Sequence, residues 1–189
     1  MDPVSGTYGG HGIVSLTSAL VQALPELPVA NAVAVLDDCL HRGLQSPSGL
    51  EEIRRRLRSR RGSAGMEERV LSRVDPRAES PLETFARLQC ADAGIPPDDL
   101  QVEIRAVNGA FLGRGDLGWR RDGGGWLIAE IDGREFHDRP DALHRDRQRQ
   151  NAMVTWGAAQ MLRFTSADIA AGTIPAAVRS TLTARSTTP

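Results

Sequence analysis

Residues 111–137, FLGRGDLGWRRDGGGWLIAEIDGREFH, decide how the chain is read. No helical pattern fits Phe111 to Trp119, while Gly123-Gly124-Gly125 offers the positive backbone dihedrals of a reversal. The segment therefore predicts a hairpin. On its second strand the period-two rule puts Trp126, Ile128, Glu130 and Asp132 on one face, and Leu127, Ala129 and Ile131 on the other. Two carboxylates end an apolar strand side by side. Asp116 is the acid of the first strand, and pairing brings it toward Glu130. Three crowded acids repel unless something positive sits among them, and a hard divalent cation such as Mg²⁺ is the usual answer.

The rest of the sequence narrows the chemistry. Its 189 residues suit one core of moderate size with a smaller helical region. No apolar run is long enough to span a bilayer, and MDPVSGTYGG lacks the basic start and apolar centre of a signal peptide. A cytoplasmic location and no membrane partner are expected. Cys39 and Cys90 have no CxxC spacing and read as buried, reduced thiols. A net charge of −1 gives no global field for nucleic acid, so any such binding relies on local clusters. All 23 basic residues are arginine. The absence of lysine excludes Walker-type phosphate loops and Schiff-base chemistry.

Upstream of the hairpin, Met1 to about Gly12 reads as a loose terminus. Helical spacing recurs from Ile13 to Ala23 and from Val29 to Arg42. SPSGLEEIRRRLRSRRG (46–62) adds a third helix with an arginine-rich end, and SAGMEERVLSRV (63–74) is expected to continue as helix until Asp75-Pro76. The arginine run from Arg54 to Arg61 invites a phosphate reading, although a solvated helix face explains it as well. In SPLETFARLQCADAG (80–94) serine caps, proline opens and Gly94 ends a further helix. Leu100 to Val107 is a strand closed by Asn108-Gly109. Downstream, a helix opens at Arg139-Pro140 with Arg145, Arg147 and Arg149 on its basic face. AQMLRFT (159–165) is a short apolar strand, and one or two closing helices follow. Two regions result, a helical one over 1–76 and an α/β one over 77–185.

The set SPLE (80–83), GRGDLGW (113–119), AEIDGREFH (129–137), HRDRQRQNAM (144–153) and MLRFTSADI (161–169) resembles the PD-(D/E)XK nuclease superfamily. Within it the chain looks like the very-short-patch-repair-endonuclease-like domains of the actinobacterial type. The resemblance implies a restriction-endonuclease-like α/β core of helix, three-strand meander, helix and strand, preceded by an N-terminal helical region. It also implies a metal-dependent DNA endonuclease using Mg²⁺ or Mn²⁺, in repair, restriction or phage defence. Carried over by residue, Asp116 is the central metal ligand, Glu130 the second acid, and the backbone carbonyl of Ile131 a further ligand. Asp132 fills the slot where the superfamily has lysine and the patch-repair branch has histidine. His137 keeps the spacing of the second histidine, and Glu83 matches the supporting acid on the first helix. Arg145 or Arg149, on the following helix, is expected to hold phosphate oxygens.

Without the resemblance, Asp116 and Glu130 read as ion-pair partners at strand ends, His137 as an ordinary loop histidine and Glu83 as a first-turn acid favoured by the helix dipole. Duplex DNA is preferred over single strands as the partner, with a homodimer open. The alternative from a different class is a catalytically silent nuclease fold acting as a DNA- or protein-binding, antitoxin-like module, which the missing lysine favours. An RNA-directed nuclease is the third reading.

Overall fold

The computed structural model describes residues 6–133, 155 and 159–184. The chain divides into two compact units, Met1–Pro81 and Leu82–Pro189.

The first unit is helical, with a small hairpin at its start. Strands β1 (Gly6–Tyr8) and β2 (His11–Ile13) pair antiparallel. The expectation of a loose terminus is corrected here. Gly9 and Gly10, at φ 56° and 81°, make the tight reversal that aligns Thr7 with Gly12 and Tyr8 with His11. Helix α1 (Leu16–Ala23) is capped by Ser15, whose hydroxyl accepts the Ser18 N–H at 3.2 Å. Helix α2 (Val29–His41) follows Pro28. Helix α3 (Pro47–Ser59) combines a Ser46 cap with proline at its first position. Their apolar stripes bury Leu20, Val21, Leu24, Val33, Leu36, Ile53 and Leu57. After α3 the chain gives only α4 (Met66–Arg69) and a 3₁₀ turn at Leu71–Arg73, not the continuous helix expected. Val70, at φ −125° and ψ −64°, leaves helical geometry and ends α4, while burying its side chain. Buried Asp37 accepts the Asp75 N–H at 2.7 Å, which fixes the chain where the helical pattern stops.

The arginines of α3 find local partners. Arg54 pairs with Glu51 and Glu67, Arg55 with Glu52, and Arg58 with Glu67. Arg56 donates to Ser18 Oγ at 3.0 Å, joining α3 to α1. These contacts favour the structural explanation of the run over the phosphate-binding one.

The second unit is α/β. Helix α5 (Pro81–Asp92) precedes strands β3 (Asp99–Arg105), β4 (Phe111–Arg120) and β5 (Trp126–Asp132); strand β6 (Ala159–Thr165) and helices α6 (Ser166–Ala171) and α7 (Ile174–Thr183) follow. The sheet has the order β3-β4-β5-β6, antiparallel across the meander and parallel between β5 and β6. Gly124 and Gly125, both at positive φ, turn β4 into β5. A parallel pair requires a crossover between Asp132 and Ala159. The helix expected from Arg139-Pro140 onward lies in that stretch, outside the described residues.

Each face of the sheet has its own apolar cluster. Leu100, Leu117, Trp119, Leu127, Ala129 and Phe164 pack with Ala86 and Cys90 of α5 and with Ile174 and Val178 of α7. Val102, Ile104, Ile128 and Ala159 form the other cluster, joined by Trp126 and Met161. The alternation on β5 follows the period-two reading. Trp119 satisfies its indole by donating to the Ile95 carbonyl at 3.0 Å, as a buried tryptophan must. Cys39 and Cys90 are buried free thiols, and burial pushes Cys90 up to about 12. Among the described residues no helix is long and apolar enough to cross a membrane.

Candidate functional site

Asp116 sits where both of its neighbouring ladders are interrupted. The β4–β5 register runs from Arg120–Trp126 to Leu117–Ala129 and stops one step before Asp116 and Glu130. On the other side, Leu100 pairs with Leu117 and Val102 with Gly115, while the intervening Gln101 and Asp116 are skipped. A gap in a sheet leaves backbone groups that need other partners. Here the carboxylate is one of them: the Ile131 N–H donates to Asp116 Oδ2 at 2.7 Å.

That position changes the acid's chemistry. Burial raises the Asp116 carboxyl most, the Ile131 N–H opposes it, and the charges of Glu83 and Glu130 raise it further while Arg114 lowers it; the result is about 6. Glu83, Asp116 and Glu130 therefore lie within one another's electrostatic reach. The group is ionised at neutral pH, yet its carboxylate is much more basic than an exposed aspartate's.

Glu83 and Glu130 are themselves buried, at 7% and 9% exposure, so each needs a polar partner. Gln101 Nε2 donates to Glu83 Oε2 at 2.8 Å. For Glu130 one partner is Arg163, whose Nε donates to Oε2 at 3.1 Å. The parallel register explains the contact, because it sets Glu130 beside Arg163 on adjacent strands. The next polar pair along, Asp132 and Thr165, is likewise in register. Thr165 also caps α6 through a reciprocal bond with Asp168.

Sequence reasoning missed Gln101 and Arg163. Gln101 occupies a left-handed φ of 53°, a conformation that costs a side-chain-bearing residue about 1–3 kcal/mol and concentrates at functional sites. Its amide oxygen is buried with no hydrogen-bond partner among the described residues. Nothing in LQVEIR marks it, since a glutamine between two apolar residues fits any half-exposed strand. Arg163 had a signal: it is the charged residue of AQMLRFT, a strand otherwise read as short and apolar.

The donor set suits a hard cation, being built from carboxylate and amide oxygens, with the Gln101 oxygen lacking a donor among the described residues. Among the described residues, however, no three His, Cys, Asp or Glu side chains lie close enough together to hold a metal ion. The carboxylates instead turn toward Gln101, the Ile131 N–H and Arg163. His137, Arg145 and Arg149 lie outside the described residues.

Two uncharacterized proteins of Mycobacterium tuberculosis, from different strains, are each 32% identical to this chain over 145 residues. The match covers 77% of this chain and 49% of each relative, so the chain spans about half the length of the curated relatives it matches. No family model matches the chain. No solved structure matches it either.

Proposed function

We propose that the second unit is a metal-dependent endonuclease domain with a restriction-endonuclease-like core, acting on duplex DNA in the cytoplasm. The observation carrying this reading is the desolvated Asp116, placed in a break of both ladders and within the electrostatic reach of Glu83 and Glu130. An acid used only for surface pairing gains nothing from such a place, whereas a ligand for a cation gains basicity. The order of α5, the three-strand meander and a fourth strand parallel to β5 supports the same reading.

Asp116 and Glu130 are the residues to hold Mg²⁺ or Mn²⁺, with the Ile131 carbonyl beside them and Glu83 in support. Such an ion, when bound, supplies Lewis-acid polarisation of the scissile phosphate and a bound water of lowered pKa. In this proposal His137 exchanges a proton with the attacking water or the leaving oxygen, as an imidazole titrating near neutrality can. Asp132 orients that water in place of the absent lysine, and Arg145 and Arg149 grip phosphate oxygens.

The second reading, a catalytically silent fold used as a DNA- or protein-binding module, draws on the hydrogen-bonded state of the acids. A buried polar network whose members satisfy one another can serve the fold alone. A cleavage assay separates the two. The substrates are single-stranded, duplex and mismatched DNA and a matched RNA, with Mg²⁺ or Mn²⁺, using wild type and Asp116→Ala. Metal-dependent cutting that is lost in the variant supports the nuclease, and the preferred substrate shows its class. No cutting of any substrate, together with no metal-induced rise in melting temperature, favours the silent module.

A further inference from the structure

Arg163 is a cation held directly against an acid of this cluster, and its place follows from the fold. The parallel register puts it beside Glu130, and its Nε reaches Oε2 at 3.1 Å. The two ends of this pair differ in environment: the Glu130 side chain is 11% exposed, while that of Arg163 is 41% exposed. The acid lies in the interior, while the arginine side chain is partly open to solvent. A guanidinium carries its donors in a rigid fork that suits phosphate as well as carboxylate. It can therefore leave a carboxylate for a phosphate without losing its charge-assisted bonds.

Glu130 faces a related choice. Its Oε2 bonds to Arg163, and a divalent cation needs carboxylate oxygens of the same cluster. One carboxylate facing both an arginine and a divalent ion is a competition between two cations, and each weakens the other's hold through their repulsion.

Resting on the endonuclease reading, we propose that Arg163 is an exchangeable cation of the site: it neutralises Glu130 when no divalent ion is bound and moves to a phosphate oxygen of the substrate when one is. This gives β6 a direct part in the chemistry, and a strand-borne arginine takes a role that a chain without lysine cannot give to an ammonium group. No bond is made or broken by Arg163. It exchanges one anionic oxygen for another.

The test compares wild type, Arg163→Lys and Arg163→Gln in Mn²⁺ binding, read by electron paramagnetic resonance of the free ion, and in steady-state cleavage of duplex DNA. Thermal melts verify that each variant is folded. The expected result is opposite signs. Arg163→Gln removes the competing cation, so Mn²⁺ binds about fivefold tighter, the change a partly exposed ion pair can produce. Its kcat falls about a hundredfold or more, as for loss of a donor to a charged transition state, and Arg163→Lys recovers part of it. A purely structural arginine weakens Mn²⁺ binding and kcat together, and that result overturns the proposal. So does a glutamine variant with wild-type values of both, or the absence of Mn²⁺ binding in all three proteins. If wild type binds Mn²⁺ but cuts nothing, the endonuclease reading fails. In that case the glutamine variant still decides whether Arg163 competes for the site: tighter Mn²⁺ binding upholds the exchange at Glu130, and unchanged or weaker binding overturns it.

Discussion

Replacing Asp116 by asparagine keeps the shape of the side chain and an oxygen to accept the Ile131 N–H, but removes the titration. Folding raises the carboxyl from 3.8 to about 6, chiefly by burial. A raised acid favours the protonated form in the folded state. The wild type therefore has this contribution in full below pH 3.8 and loses it as pH rises through about 6. A shift of roughly two units corresponds to about 3 kcal/mol, which the wild type forfeits and Asp116→Asn does not. Urea unfolding of both proteins without metal, at about pH 3.5 and about pH 8, measures it. The stability of Asp116→Asn relative to wild type is expected to improve by about 3 kcal/mol toward the higher pH, or about 1–3 M in midpoint. The gain is expected to level off above about pH 7, one unit past the folded value. A difference that stays constant with pH, or that turns against the asparagine variant as pH rises, refutes the placement of Asp116 as a desolvated acid.

Other consequences follow from the packing. A methyl added at Gly115 overlaps the Ile128 side chain, so Gly115→Ala is expected to cost about 1–3 kcal/mol in urea unfolding, and less than that when introduced into an Ile128→Ala background. Gln101→Leu removes the amide donor from buried Glu83 and is expected to lower stability by about 1–3 kcal/mol at neutral pH; an unchanged midpoint contradicts the bond. Thr165→Ala breaks the capping box at the start of α6 and is expected to cost about 1 kcal/mol, read as a lower thermal midpoint with the far-ultraviolet spectrum retained.

Much of the sheet was legible because its signals are local. Alternation through Trp126 to Asp132 placed the β5 side chains on the faces they occupy, and the glycine turns marked both reversals. Serine and proline before Leu82 announced α5. What escaped depends on relations between distant residues. The parallel register that sets Arg163 beside Glu130 joins strands separated by a crossover, which periodicity does not reveal. The left-handed backbone at Gln101 falls at the skipped position of the β3–β4 ladder, and a glutamine carries no mark of it in sequence. In the helical unit, residues 63–74 read as a continuing helix through Val70 and Leu71. Burial of those two side chains instead accompanies a short helix and a 3₁₀ turn.

The proposed divalent-cation site at Asp116 and Glu130, from which Arg163 withdraws, has a direct readout in the crystal. It is tested most directly by anomalous diffraction from crystals soaked in Mn²⁺. The expected result is a peak bonded to carboxylate oxygens of Asp116 and Glu130, with the Arg163 guanidinium moved off Glu130. No peak at the acids, with Arg163 still on Glu130 Oε2 at high Mn²⁺ concentration, contradicts it.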